Sequence, residues 1–312
     1  MFRFPSKGNS DLSLVLCGAA GQGVQTLEEI LVDSFRKAGY HVFASREYMS
    51  RVRGGSNSTE IRVSSKRVRA LVDRMDILLP LNGGIRANIR ERVTPETLIL
   101  GDAAEIKDEL ADRGGTFLNV PLMEKGREAG GPVYTGIVAA GLLAGLLGVP
   151  PEIPEGLLKE RFIAKSEQVV KNNLSAFEKG MGLFRELVAS KGVSVDIAKE
   201  NEAVGEMMMN GSDAVSLGAL AGGCDFMSSY PMSPATGVLT YLARHARSHA
   251  VAVEQAEDEI AAINMALGAS YGGARSMVST SGGGLSLMGE GVSLTGITEL
   301  PVVLHIGQRP GP

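Results

Sequence analysis

Tryptophan is absent from this 312-residue chain and cysteine nearly so: Cys17 and Cys224 stand alone in separate apolar stretches. Two isolated thiols with no paired histidine cannot by themselves build a zinc or iron–sulfur site. Both read as small buried apolar side chains, and the chain is expected to hold no metal of its own. Aromatic residues make up only 5% of the sequence, so stacking platforms for single-stranded nucleic acid are lacking. No excess of one charge is present either. A formal net charge of −4 and a pI of about 5.7 give no general attraction for nucleic acid or an anionic membrane. No apolar run approaches the roughly 18 residues of a membrane span, and MFRFPSKGNS lacks the apolar core of a signal peptide. The chain therefore reads as cytoplasmic, with neither membrane nor nucleic acid as partner.

What is present is glycine, 40 residues of it, within a composition that is 44% hydrophobic and 21% charged. That balance describes a globular protein, and the length suits two domains. The patterning predicts an α/β fold of two doubly wound domains, spanning 1–190 and 210–312, with 191–209 as linker. The first opens with the apolar run Leu12–Cys17, breaks into GAAGQGVQT, and continues as a helix from Val24 to about Ala38, closed by Gly39. The spacing Gly18-x-x-Gly21-x-Gly23 is not the dinucleotide fingerprint G-x-G-x-x-G, although free N–H groups at a helix start suit a phosphate or a carboxylate. Arg46–Arg74 is rich in arginine. It reads as a solvated charged surface, or as a contact for an anionic ligand or an acidic subunit. Tyr134–Leu147 is an apolar Gly/Ala helix expected to be buried, and Glu155–Lys191 reads as two amphipathic helices. In the linker, Met207–Met209 is expected to plug onto a neighbouring surface.

The second domain repeats the strand–loop–helix pattern. Asn210 opens a capped helix, Asp225–Tyr230 is a strand, and PMSP a tight loop. Ala235–His249 is a helix on which His245 and His249 share a face. With Arg244 and Arg247 alongside, they read as exposed surface rather than a metal pair. Val251–Ser270 then runs from a short strand ending in Glu254 into a helix with Glu257, Asp258 and Glu259 at its start. Acids suit that place because of the helix dipole and free N–H groups, so Glu257 and Asp258 read as capping acids. Strand Arg275–Thr280, the glycine turn Ser281–Gly284, a helix through about Ile297 and strand Pro301–Gly307 follow. Three such junctions would line up at the carboxyl edge of a parallel sheet, where open α/β folds bind ligands. An α/β sheet rarely stops one loop after a strand, so a longer polypeptide is expected.

In order and spacing, these motifs resemble the 2-oxoacid:ferredoxin oxidoreductases, in particular α subunits with a γ domain fused at the N-terminus. The γ-like residues are Gly18–Val24, Ser50–Ser64 and the Gly/Ala helix after Tyr134. The α-like residues are Asn210–Leu220, YPMSPAT at Tyr230–Thr236, EDEIAAINMALGAS at Glu257–Ser270, TSGGGLSLMGEG at Thr280–Gly291 and GQRPGP at Gly307–Pro312. The resemblance implies a γ-type domain followed by a pyrimidine-type half-site for thiamine diphosphate, completed by a β subunit. It implies Glu259 as the catalytic carboxylate against the aminopyrimidine ring nitrogen, with Tyr230, Pro231, Ser281, Gly282 and Gly283 also lining the cofactor. Ser233 and Arg309 would hold the substrate carboxylate, a bidentate match for the guanidinium. The implied reaction is oxidative decarboxylation of a 2-oxoacid, 2-oxoglutarate favoured, to acyl-coenzyme A and carbon dioxide with electrons to ferredoxin. Magnesium and a 4Fe–4S cluster would sit on the β subunit. The alternatives are a non-catalytic docking subunit and a thiamine-dependent decarboxylase without iron–sulfur coupling.

Overall fold

The structure, a computed structural model, describes residues 2–4, 10–19, 23–47, 56–106, 108–110 and 112–308. The chain divides into two compact units, Met1–Glu206 and Met207–Gly311.

The first unit opens with β1 (Phe2–Phe4), β2 (Asp11–Ala19), α1 (Val24–Lys37), β3 (His41–Glu47), β4 (Ser56–Ser64), β5 (Ile77–Pro80) and α2 (Ala87–Arg90). It continues with β6 (Leu98–Gly101), α3 (Ala103–Ile106), β7 (Thr116–Asn119), α4 (Leu122–Glu128), α5 (Thr135–Leu146), α6 (Glu152–Phe162), α7 (Glu167–Lys191), β8 (Val193–Val195) and α8 (Asn201–Val204). The main sheet runs β3-β4-β2-β5-β6-β7. Because side chains alternate across a strand, β2 feeds two cores. Leu14 and Leu16 join Leu27, Leu31, Phe35, Leu142 and Phe177 on one face, while Val15 and Cys17 join Leu78, Ile89 and Ile99 on the other.

The doubly wound α/β fold is as expected, with one detail added and one expectation changed. Within the first sheet β4 pairs antiparallel with both β2 and β3, while β2, β5, β6 and β7 run parallel. The stretch expected as a linker, 191–209, holds β8 and α8: Val193–Val195 pairs parallel with Phe2–Phe4, and Val193 is fully buried. Apolar side chains with a strand edge to pair against leave water, so residues 191–206 belong to the first unit. Much of the arginine-rich stretch is consumed by local ion pairs. Arg46 meets Glu28 and Glu29, Arg62 and Arg74 both meet the buried Asp11, and Arg67 meets Glu206. Residues 48–55 of that stretch, and Ala20–Gln22 of the glycine loop, lie outside the described residues.

The second unit consists of α9 (Gly211–Ala221), β9 (Phe226–Ser229), α10 (Thr236–His249), β10 (Ala252–Gln255) and α11 (Glu259–Tyr271). Then come β11 (Ser276–Thr280), α12 (Gly282–Leu287), α13 (Gly289–Thr298) and β12 (Val302–Ile306). All four strands are parallel, in the order β10-β9-β11-β12. Met227 and Met277 pack with Val238, Leu239 and Leu242 of α10 on one face, whereas Val278 packs with Ile263, Leu267 and Met288 on the other. Asn210 caps α9 as expected, its side chain accepting from the Asp213 N–H. The Ser281–Gly284 turn differs from expectation: Gly282–Gly284 already form the first turn of α12. Met207, Met208 and Met209 are exposed rather than plugged. His245 and His249 lie on the outer side of α10, where His245 stacks on Tyr241 with ring centroids 4.5 Å apart.

Candidate functional site

The strand order of the second unit places three loops together at the carboxyl edge: Tyr230–Ala235 after β9, Ala256–Asp258 after β10 and Ser281 after β11. Each loop feeds a helix, so the edge gathers helix N-termini as well as side chains.

The three neighbouring acids separate cleanly by environment. Glu257 is exposed. Asp258 has extended backbone and caps α11, its Oδ1 accepting from the Ala261 N–H at 2.7 Å. Glu259, in the first helical turn, is 3% exposed, and its Oε1 is buried without any hydrogen-bond partner. A buried carboxylate oxygen with no partner is costly, and such an oxygen calls for an explanation. Glu254, at the end of β10, is exposed and offers no such environment. Beside Glu259, the Thr280 hydroxyl is likewise buried and unpartnered. Both groups press on Gly284: a Cβ there would run into the Thr280 hydroxyl and sit 2.8 Å from Glu259 Oε1. Only glycine fits at that point. At Gly282 and Gly283, by contrast, a Cβ would meet open space, so their backbone faces outward and is free to approach a ligand.

The Tyr230–Ala235 loop joins this region from the neighbouring strand. Ser281 Oγ donates to the Met232 sulfur, so the glycine turn and the YPMSP turn are in contact. Ser233 is exposed at the tip, followed by a cis peptide bond to Pro234, and Tyr230 is exposed beside a half-buried Pro231. Beneath the loop lies a layer of buried serines. Ser228 Oγ donates to the Ala262 carbonyl at 2.6 Å, tying β9 to α11, and Ser229 Oγ donates to the Ser279 carbonyl at 2.5 Å, tying β9 to β11.

The structure thus brings Glu259, Ser281 and the 282–284 backbone into one place, and links the Tyr230–Ser233 turn to it through Met232. Arg309 lies outside the described residues. Thr280 and Met232 were not singled out in the sequence, and Gly284 only as the end of the glycine turn. Their only signal was adjacency to TSGGG and YPMSP, because a buried hydroxyl and an ordinary strand-end threonine look alike in sequence. A cleft of about 830 Å³ opens elsewhere, at the amino ends of β11 and β12 near Ser276 and Val302. No carboxylate lines it, and it lies at the edge opposite Glu259. Among the described residues, no group of three or more His, Cys, Asp or Glu side chains could hold a metal ion. No described helix is long and apolar enough to cross a membrane.

A parallel sheet with glycine- and serine-rich loops and a buried, unpaired acid at its carboxyl edge defines a cofactor-binding α/β unit, here preceded in the chain by a second α/β unit. Residues 13–183 match the family pyruvate ferredoxin/flavodoxin oxidoreductase, and residues 217–312 match the family pyruvate flavodoxin/ferredoxin oxidoreductase, thiamine diphosphate-binding. The chain belongs to the 2-oxoacid:ferredoxin oxidoreductase family, resembling its α subunits. It is 28% identical to the α subunit of 2-oxoacid:ferredoxin oxidoreductase 2 of Aeropyrum pernix, over 97% of this chain and 56% of that protein. It is also 28% identical to a 2-oxoglutarate oxidoreductase subunit of Mycobacterium tuberculosis, over 95% of this chain and 50% of the relative. Among solved structures, it resembles the 2-oxoglutarate:ferredoxin oxidoreductase from Magnetococcus marinus, described with 2-oxoglutarate, coenzyme A and succinyl-CoA bound. That match has a TM-score of 0.86 and 31% identity, covering 97% of this chain and 53% of the other. The chain therefore spans about half the length of the relatives it matches.

Proposed function

We propose that this chain supplies the pyrimidine half of a thiamine diphosphate site in a 2-oxoacid:ferredoxin oxidoreductase, working with a β subunit. The assembled enzyme would convert a 2-oxoacid, coenzyme A and oxidised ferredoxin to acyl-coenzyme A, carbon dioxide and reduced ferredoxin. The observation that carries this reading is Glu259, a buried carboxylate whose Oε1 has no partner among the described residues. An acid kept dry and unpaired at a ligand-binding edge is suited to a ring nitrogen arriving from outside.

The residues present fit the cofactor. Glu259 would hold the aminopyrimidine ring nitrogen and share a proton with it. Thr280, unpartnered alongside, is a second polar group available to the ligand. Glycine at 284 leaves the carboxylate room, and the open backbone at Gly282 and Gly283 admits close approach. Ser281, Tyr230 and Pro231 would line the same side. When bound, thiamine diphosphate supplies the carbon nucleophile and electron sink that decarboxylation of a 2-oxoacid requires. Ser233, exposed at its turn, would donate to the substrate carboxylate, and Arg309 would pair with it through both guanidinium nitrogens. The names of two relatives support 2-oxoglutarate as the substrate. With two cysteines in the chain, a four-thiolate iron–sulfur cluster would sit on the β subunit, and the magnesium–diphosphate site is proposed there too.

The test is co-expression with the β subunit and assay of thiamine- and coenzyme A-dependent viologen reduction over a panel of 2-oxoacids, beside Glu259→Gln. Loss of a positioned proton-transfer group is expected to lower turnover by about 10²-fold or more, with the complex still assembling. An active complex whose Glu259→Gln variant turns over normally would remove Glu259 from the mechanism. A well-formed complex that binds thiamine diphosphate yet reduces nothing with any 2-oxoacid would favour a docking subunit instead.

A further inference from the structure

We propose that His305 is a positioning residue for the turn that carries Ser233, acting at a distance through Ser279 and Ala235. The inference deepens the reading above and rests on it in one respect, the role given to Ser233.

His305 lies on β12 directly across from Ser279 of β11 in the parallel register. Its Nδ1 is 2.9 Å from Ser279 Oγ, and that oxygen lies 3.3 Å from the Ala235 carbonyl. A serine has one proton to give. The carbonyl can only accept; in the arrangement proposed, the hydroxyl proton goes to Ala235 and Ser279 Oγ accepts from His305 in its Nδ1–H tautomer. The chain of donation proposed runs His305 Nδ1–H to Ser279 O–H to Ala235 C=O. Ser279 is fully buried and Ala235 is 1% exposed. In such a setting an unmet donor or acceptor is costly, so breaking the chain at one end is felt at the other.

Ala235 is where this chain meets the ligand-facing turn. Its N–H donates to the Met232 carbonyl at 2.9 Å, closing the turn Met232–Ala235 with Ser233 and Pro234 between. The carbonyl end is held by Ser279, and the flank by Gly307, whose position leaves only 3.1 Å between a built Cβ and the Ala235 backbone. Ser279 is in turn anchored through its own carbonyl by Ser229. Ala235 is thus held at its carbonyl from β11 and at its flank by the residue that follows β12, and His305 is the outermost member, half-exposed near the end of β12. Among the described residues, no hydrogen bond joins its imidazole to Ser233. Its effect is on where the turn sits.

The experiment uses hydrogen exchange on the full chain and steady-state kinetics on the complex with the β subunit. The variants are His305→Ala, His305→Asn, Ser279→Ala and the double variant His305→Ala with Ser279→Ala. Asparagine can place an N–H where Nδ1–H stood. Amides of 230–236 are expected to exchange about tenfold faster in His305→Ala and in Ser279→Ala, in line with loss of one buried hydrogen bond. His305→Asn should restore protection, and the double variant should be no worse than either single one, as members of one chain are not additive. In the complex, KM for the 2-oxoacid should rise about tenfold while kcat and thiamine diphosphate affinity hold within about twofold. Unchanged exchange in His305→Ala would overturn the proposal. So would an asparagine variant as unprotected as alanine, or additive effects in the double variant. If the wild-type complex turns over no 2-oxoacid, the functional reading fails, while the exchange measurements still decide whether His305 holds the turn.

Discussion

Burial sets the chemistry of Cys17 and Tyr40. Cys17 is 1% exposed between β2 and the 78–99 core, and burial, with Glu109 adding to it, pushes its thiol from 9.0 up to about 12. Tyr40 is 3% exposed, its hydroxyl donating to the Leu147 carbonyl at 2.6 Å, and burial lifts its phenol from 10.0 to about 12. In both cases the folded state favours the neutral form. Stability is therefore fully present below the unfolded pKa and falls as pH rises through the window from about 9 to 12. Each group removes about 1.4 kcal/mol per pH unit inside its own window. Urea unfolding at pH 8, 9.5 and 10.5 should show this decline, and Cys17→Ala should make it shallower than in the wild type. An unchanged slope in Cys17→Ala would show that the thiol ionises readily in the folded chain. The same burial should keep Cys17 inert to thiol reagents at pH 8, with the half-buried Cys224 reacting first.

Among the elements, α5 and α7 show most directly what a sequence discloses. The run TGIVAAGLLAGL was legible as a buried helix because it has no polar face, and all of Thr135–Leu146 is buried. What could not be read was its partner. A Cβ at Gly141 would run into the Phe177 carbonyl, and one at Gly180 into the Val138 carbonyl, so these two glycines let the helices cross with backbones in contact. Gly180 sits in an amphipathic helix where glycine carries no such message. Gly180→Ala is expected to destabilise the first unit by about 3 kcal/mol, because backbone must move to admit a methyl group. Gly182→Ala, two residues on and on another face of the helix with nothing near its Cβ, should be neutral or slightly stabilising. Equal unfolding midpoints for the two variants would sink the argument. The direction of β4 was similarly hidden: Thr59–Ser64 alternates faces in either direction, so periodicity places the strand without orienting it. Glu259 was singled out in the sequence through the family resemblance of EDEIAAINMALGAS, and its burial is what the structure adds. The buried, unpaired Oε1 that sets it apart from Glu257 sits against Gly284, 25 residues on, and no local pattern carries that.

At the scale of the whole chain, composition and strand–loop–helix repetition were enough to anticipate two α/β units, but not where the first one stops. The stretch KGVSVDIAKENEAVGE looks like a tether, being short of apolar runs. Its few apolar residues are nonetheless placed: Val193 is fully buried, Ile197 is 8% exposed and Ala203 is fully buried. Polar ties close the same segment. The Arg36 guanidinium donates to the carbonyls of Val204 and Glu206, and Glu206 accepts from Arg67 and pairs with His41 at 3.0 Å. Hydrogen bonds from Arg67, then from His41, hold the Glu206 carboxyl below the usual range. Burying the Val193 and Ile197 side chains is worth roughly 1.5–3 kcal/mol each by transfer, while the exposed ion pair to Arg67 adds little. A fragment of residues 1–206 is therefore expected to unfold cooperatively, and a fragment of residues 1–190 to be less stable by about 3 kcal/mol or more, its β1 left without a partner strand. Urea titrations of the two fragments decide it. Coincident midpoints would return 191–206 to the role of a linker. A lower midpoint for the shorter fragment, with Val193→Ala in the longer one recovering part of the loss, would place the end of the folded unit at Glu206. The contribution of Glu206 itself has a definite sign: a depressed carboxyl stabilises above its unfolded pKa and loses that effect as pH falls through the folded value. The difference between the fragments should accordingly narrow slightly in acid while the part due to Val193 and Ile197 persists.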